Sequence, residues 1–183
     1  MIPSLDQLNE YVARELVTRV DREHLAIFNY SKRCTYDAAW DDVTKTARGL
    51  IIDTRSGEVV ALPFPKFFNH GEGGEHGAIP EGAPDSTTVK LDGSLGISYR
   101  FNGSLCWSTR GSFFSEQASA AQDLWDRRYA HVNVPDEWTL LAEIIHPLSK
   151  NVVRYSFEDI IILGIRNRVT GEDYTHPFVS EWC

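Results

Sequence analysis

The sequence predicts an α+β domain dominated by antiparallel hairpins. Helical spacing of apolar residues occurs in only two stretches, while short apolar runs of strand length fill most of the remainder. Asn102-Gly103 between two such runs is the strongest short hairpin signal in the chain. At the N-terminus, Ser4 and Gln7 form a capping box ahead of Leu5, Leu8, Val12, Leu16 and Val20, which predicts a helix over residues 5–20. His24 to Tyr30 is a short apolar run, and from there the pattern is mostly strand. Residues 49–53 and 58–62 flank Thr54-Arg-Ser-Gly57, a four-residue hairpin loop with glycine in its left-handed position. Residues 71–86 hold five glycines and two prolines and read as a loop. Strands are predicted at Thr87–Lys90, Leu95–Phe101 and Ser104–Thr109, then a helix from Ser115 to Tyr129 with Ala118, Ala121, Leu124 and Trp125 on one face. Trp138–Ile145 and Asp159–Ile165 are apolar strands, the second patterned for burial on both faces, and Val169-Thr-Gly171 is a turn.

Composition narrows the function classes. The chain has 183 residues, 42% hydrophobic and 24% charged, which suits one domain and excludes a disordered, collagen-like or disulfide-stapled protein. No apolar run reaches the roughly 20 residues a bilayer span requires, so no membrane partner is expected. The first residues carry no secretory signal pattern, and three widely spaced cysteines suit a cytoplasmic location. A formal charge of −8 argues against a protein that coats nucleic acid by bulk charge, so any such contact must be local. Only five lysines are present against thirteen arginines. Amine chemistry is therefore confined to Lys32, Lys45, Lys66, Lys90 and Lys150.

Lys90-Leu91-Asp92-Gly93-Ser94 is the segment with most chemical content. A tight glycine turn lets a phosphate approach the backbone, and the carboxylate can orient the amine or a metal. A lysine with an ordinary pKa is only ~0.04% neutral at pH 7. As a nucleophile it needs desolvation or neighbouring positive charge. Farther on, Glu143 is a lone acid among Leu140, Leu141, Ile144 and Ile145, and a carboxylate in an apolar strand needs a partner.

The Lys90–Ser94 element resembles motif I of the covalent nucleotidyltransferases, the DNA ligases, RNA ligases and capping enzymes. Ala47-Arg48-Gly49-Leu-Ile-Ile-Asp53 and the run from Pro63 through Lys66-Phe67-Phe68-Asn69 to Glu72 resemble the upstream signature of the RNA ligase 1 family of phage T4. Ser108-Thr-Arg110-Gly-Ser112 is similar to the basic element after motif I. Leu140 to Pro147, with Asn151 to Tyr155, resembles motif III, and Ile160 to Gly171 looks like motif IIIa and its turn. The likeness spans residues 40–172 with its motifs in order.

That resemblance implies a nucleotidyltransferase fold and an ATP-dependent RNA ligase, a repair enzyme working through a lysyl-AMP to join 5′-phosphate and 3′-hydroxyl RNA ends. Lys90 is then the nucleophile. Arg48, Lys66, Asp92, Gly93, Arg110 and Glu143 bind the nucleotide, and Glu143 (through a water) and Glu72 are the candidate ligands for Mg²⁺ or Mn²⁺. The alternatives are a DNA ligase, a capping guanylyltransferase, or a non-catalytic module that binds nucleotide or RNA ends. Motifs IV and V have no counterpart after Arg168, since no lysine follows Lys150. Residues 1–183 are therefore expected to be the N-terminal and central part of a single adenylyltransferase domain, with no second domain. They come from a longer ligase, from a split enzyme completed by a homodimer or a second chain, or from a short homologue of altered function.

Overall fold

The capping box forms as the sequence predicts. Ser4 Oγ accepts from the Gln7 N–H and the Gln7 side chain accepts from the Ser4 N–H, opening α1 (Leu5–Ala13). The computed structural model describes residues 2–69, 71–72, 82, 87–147 and 152–183. The helix ends at Ala13 rather than at residue 20, because Glu15 adopts a φ of 60° and Val17–Arg22 form a strand, β1. Val17, Thr18 and Val20 are β-branched, and the antiparallel ladder with β2 (Leu25–Tyr30) offers them a pleated surface. Helical spacing here is a coincidence of Leu16 and Val20, of which the latter is 38% exposed.

β3 (Arg48–Asp53) and β4 (Val59–Ala61) complete a first antiparallel sheet in the order β1-β2-β3-β4. Gly57 closes the predicted loop at a φ of 77°. Two short helices, α2 (Lys32–Tyr36) and α3 (Asp42–Thr46), fill the β2–β3 connection. Each is capped by its preceding side chain, Ser31 Oγ accepting from Cys34 N–H and Asp41 from Thr44 N–H.

β5 (Ser94–Phe101), β6 (Ser104–Thr109), β7 (Trp138–Ile145) and β8 (Asp159–Asn167) form the second antiparallel sheet, ordered β6-β5-β7-β8. Asn102 and Gly103 both take positive φ, 49° and 81°, as a two-residue turn between right-twisted strands requires. α4 (Glu116–Arg128) starts on the predicted Ser115 cap. Two expectations are corrected. Thr87–Lys90 joins no ladder and lies exposed. β8 is an edge strand with Leu163 40% exposed, not a strand buried on both faces. The aromatic C-terminal run is a helix, α5 (His176–Trp182), with Pro177 in its first turn. The glycine-rich loop at 71–86 falls almost wholly outside the described residues.

Alternation along the strands builds the layers. Leu25, Ile27 and Ile51 face the second sheet, where they meet Ile97, Tyr99 and Leu141. Ala26, Phe28, Leu50 and Ile52 face the other way, onto Leu8 of α1. In the second sheet Trp107, Leu140, Ala142 and Ile144 pack on Ala121, Leu124 and Trp125 of α4. Glu143 shares the parity of Leu141 and so faces the first sheet. No helix among the described residues is long and apolar enough to cross a membrane.

Candidate active site

One end of the two-sheet stack gathers the end of β2, the starts of β3 and β5, and the ends of β6 and β7. Glycine permits the two closest approaches there. A Cβ at residue 93 would lie 2.4 Å from Ile144 O and 3.1 Å from Glu143 Cγ, so only glycine lets the Lys90 turn lie against β7. At residue 49, where φ is +94°, a Cβ would lie 2.5 Å from Ile97 Cδ1 and 3.1 Å from Arg110 Cα. The start of β3 thereby abuts the tip of β6.

The turn is held by hydrogen bonds at successive residues. Gly93 N–H donates to Glu143 Oε1 at 2.7 Å. Asp92 N–H donates to Tyr155 Oη at 2.9 Å, and Asp92 Oδ2 accepts from the Val152 and Val153 N–H groups at 2.7 and 2.6 Å. Asp92 thus ties the turn to residues 152–155. Burial pushes the Glu143 carboxyl above its ordinary pKa, against the pull of the Gly93 N–H and the nearby Lys90 charge, while the Asp92 charge adds to the rise. Lys90 itself is exposed.

Arg48, Lys66 and Arg110 each lie against an aromatic ring. Arg110 Nη1 donates to Tyr30 Oη at 2.8 Å, and its guanidinium lies 5.1 Å from the centre of that ring. Arg48 lies 5.0 Å from the Phe67 ring centre and bonds Phe64 O. Burial lowers the Arg48 pKa, and the Arg110 charge lowers it further. Lys66 lies 4.1 Å from the Phe68 ring centre and 5.7 Å from that of Trp40, while its Nζ donates to Phe67 O at 2.6 Å. Trp40 contacts Tyr30 and Phe68 edge-on, at 5.0 and 5.4 Å between centroids. None of the three cations is ion-paired to a carboxylate among the described residues, whereas Arg14, Arg19, Arg33 and Arg55 are. Like charges held together without acids form a place for an anion.

A family model for RNA ligases of the T4 RNA ligase 1 type matches residues 46–182. The chain belongs to that family. A relative from Autographa californica nuclear polyhedrosis virus, named as a putative bifunctional polynucleotide kinase/RNA ligase, is 37% identical over 82 residues, 40% of this chain. The aligned part spans 12% of that relative's length.

Within this RNA ligase family segment lie Arg48, Lys66, Lys90, Asp92, Gly93, Arg110 and Glu143. The structure brings Gly93 onto Glu143, with Lys90 near, and sets Arg48 beside Arg110. The Glu72 carboxylate accepts from Asn69 N–H and Nδ2, at 3.2 and 2.7 Å, in an exposed position. Phe67 is 64% exposed, a wall rather than core. Arg166 and Arg168 are committed to the frame, bonding Pro63 O and Val59 O and so tying β8 to the first sheet. His70 and Asn151 lie outside the described residues. Sequence reasoning missed Tyr30 and Trp40, which precede the family segment; an aromatic pair at two capped turns carries no local motif.

Proposed function

We propose that residues 1–183 form the adenylyltransferase part of an ATP-dependent RNA ligase, with the nucleotidyltransferase fold as its frame. Membership of the RNA ligase family supports this reading. The observation that carries it is the approach of the Lys90–Gly93 turn onto Glu143, in a chain where Arg48, Lys66 and Arg110 lack acidic partners among the described residues.

In this reading the Lys90 amine, having released a proton, attacks the α-phosphorus of ATP. An N–P bond forms as the bond to pyrophosphate breaks, and pyrophosphate leaves with the electron pair. Arg48, Lys66 and Arg110 hold the phosphates and offset charge in the transition state. Gly93, lacking a Cβ, lets the Lys90 turn sit against β7 and so keeps the amine near Glu143. Glu143 keeps its second oxygen for the ribose hydroxyls or for a metal-bound water. The AMP passes from Lys90 to a 5′-phosphate RNA end, and the 3′-oxygen of a second end displaces it, forming the P–O bond as AMP departs.

The residues present fit Mg²⁺ or Mn²⁺ held mainly by phosphate oxygens. Glu143 supplies one half-buried carboxylate, and no cluster of three His, Cys, Asp or Glu residues suited to a metal occurs among the described residues. Such an ion supplies neutralising charge at the phosphates.

Incubation with α-labelled ATP and Mg²⁺ tests the reading. The label is expected on Lys90 and on none of the other four lysines. ATP binding without any covalent label would make the chain a binding module instead.

A further inference from the structure

Arg110 follows β6 on one side of β5, and a cavity of about 280 Å³ opens on the other, at the β7–β8 side. Its floor includes Ile145, two residues beyond Glu143 and on the same face of β7. Asp92, Arg154, Tyr155 and Phe157 wall it. The wall is fastened to the Lys90 turn by the Asp92 bonds to Val152, Val153 and Tyr155. A wider cavity of about 590 Å³ adjoins it, shares Tyr155 and Phe157, and runs to Arg128. The two rings, with centroids 5.4 Å apart, therefore border both compartments. Phe157 is 49% exposed.

Aromatic faces along a groove with arginines at intervals are what single-stranded nucleic acid binds, bases on the rings and phosphates on the guanidinium groups. The groove holds no surplus of positive charge, because Asp92, Glu158 and Asp159 stand against Arg128 and Arg154. It suits an end that carries no terminal phosphate, whereas Arg48, Lys66 and Arg110, without ion-pair partners among the described residues, suit one that does. A ligase must bring those two ends to one phosphorus from different directions. Resting on the RNA-ligase reading above, we propose that this groove seats the 3′-hydroxyl end of the acceptor RNA. Its terminal base lies against Tyr155 and Phe157, and the preceding phosphate meets Arg154.

The test uses the full chain and a short oligoribonucleotide ending in 4-thiouridine with a free 3′-hydroxyl. Ultraviolet cross-linking is expected to map to residues 152–157. Phe157→Leu and Arg154→Gln alter exposed side chains, so an unchanged Tm confirms that each variant folds. Each is expected to weaken oligonucleotide binding about tenfold, while self-labelling by ATP without RNA keeps its rate. Cross-links elsewhere, no RNA binding by the unaltered chain, or an affinity in both variants equal to that of the unaltered chain would overturn the proposal. So would loss of self-labelling in the variants, which would give the groove to ATP. Absence of self-labelling in the unaltered chain defeats the enzyme reading instead, and the cross-link still decides the groove.

Discussion

The backbone N–H of Gly93 and the carboxylate of Glu143, fifty residues apart in sequence, meet at 2.7 Å. The bond fastens the Lys90 turn to β7 and fills one acceptor position of the acid. Both partners are needed for the geometry, and each can be altered separately.

Gly93→Ala puts a methyl group 2.4 Å from Ile144 O, which is backbone and cannot turn aside. The turn must lift off β7 and the bond to Glu143 lengthens or breaks. We expect a loss of about 1–3 kcal/mol of stability, as for other overpacked sites. We also expect self-labelling by ATP to fall at least tenfold. Thermal melts and labelling rates check both, and a variant with native rate would show that the turn does not need this contact.

Glu143→Gln separates function from stability. Burial raises the Glu143 pKa above 4.5, so the folded state retains its proton at pH values where the unfolded chain has lost it. Stability from this group is present at low pH and is lost as pH rises through the folded pKa. Glutamine has no charge to bury and can still accept from Gly93 N–H. The variant should therefore melt higher than the parent at pH 7, with a shallower decline above about pH 4.5, and should label with ATP at least tenfold more slowly. Melting curves from pH 4 to 8 decide it; a lower Tm at pH 7 would mean that the charged carboxylate stabilises the fold rather than straining it.

Arg110→Gln removes one of two like charges held close to each other. Arg110 is exposed, so stability should change by less than about 0.5 kcal/mol. ATP binding should weaken by tenfold or more and lose part of its salt dependence. Titration at two ionic strengths reads this directly.

Lys90→Ala and Lys90→Arg should both abolish covalent labelling and leave the melt within about 0.5 kcal/mol of the parent, because Lys90 is exposed and belongs to no ladder. Arginine keeps the charge but does not act as a nucleophile. A labelled arginine variant would place the reacting amine elsewhere.

Local chemistry makes most of the fold legible. The Asn102-Gly103 turn, the Ser115 cap and the β7 run each specify their structure within a few residues, and each forms at the predicted place. Edges and junctions are harder. Leu16 and Val20 keep a helical period, yet β1 forms because β2 is available to pair, and that depends on tertiary contact. Pro177 at the start of α5 is a readable helix signal, overshadowed by the aromatic character of the segment. In the site, the legible residues are those with a motif around them. Tyr30 and Trp40 have none, because what places them beside Arg110 and Lys66 is the docking of two sheets. Thr88 and Val89 give Lys90 a strand-like setting, although no partner strand reaches it.

Gly49 has a larger consequence than its size suggests. With no side chain between β3 and the β6 tip, the two sheets touch by backbone at the end where Arg48 and Arg110 stand. In the proposed site, that contact would preorganise the side that holds the phosphates. The guanidinium groups come from different sheets, yet neither sheet can slide without carrying the other. In the proposed reaction, a nucleotide bound there would spend little of its interaction energy on ordering the protein.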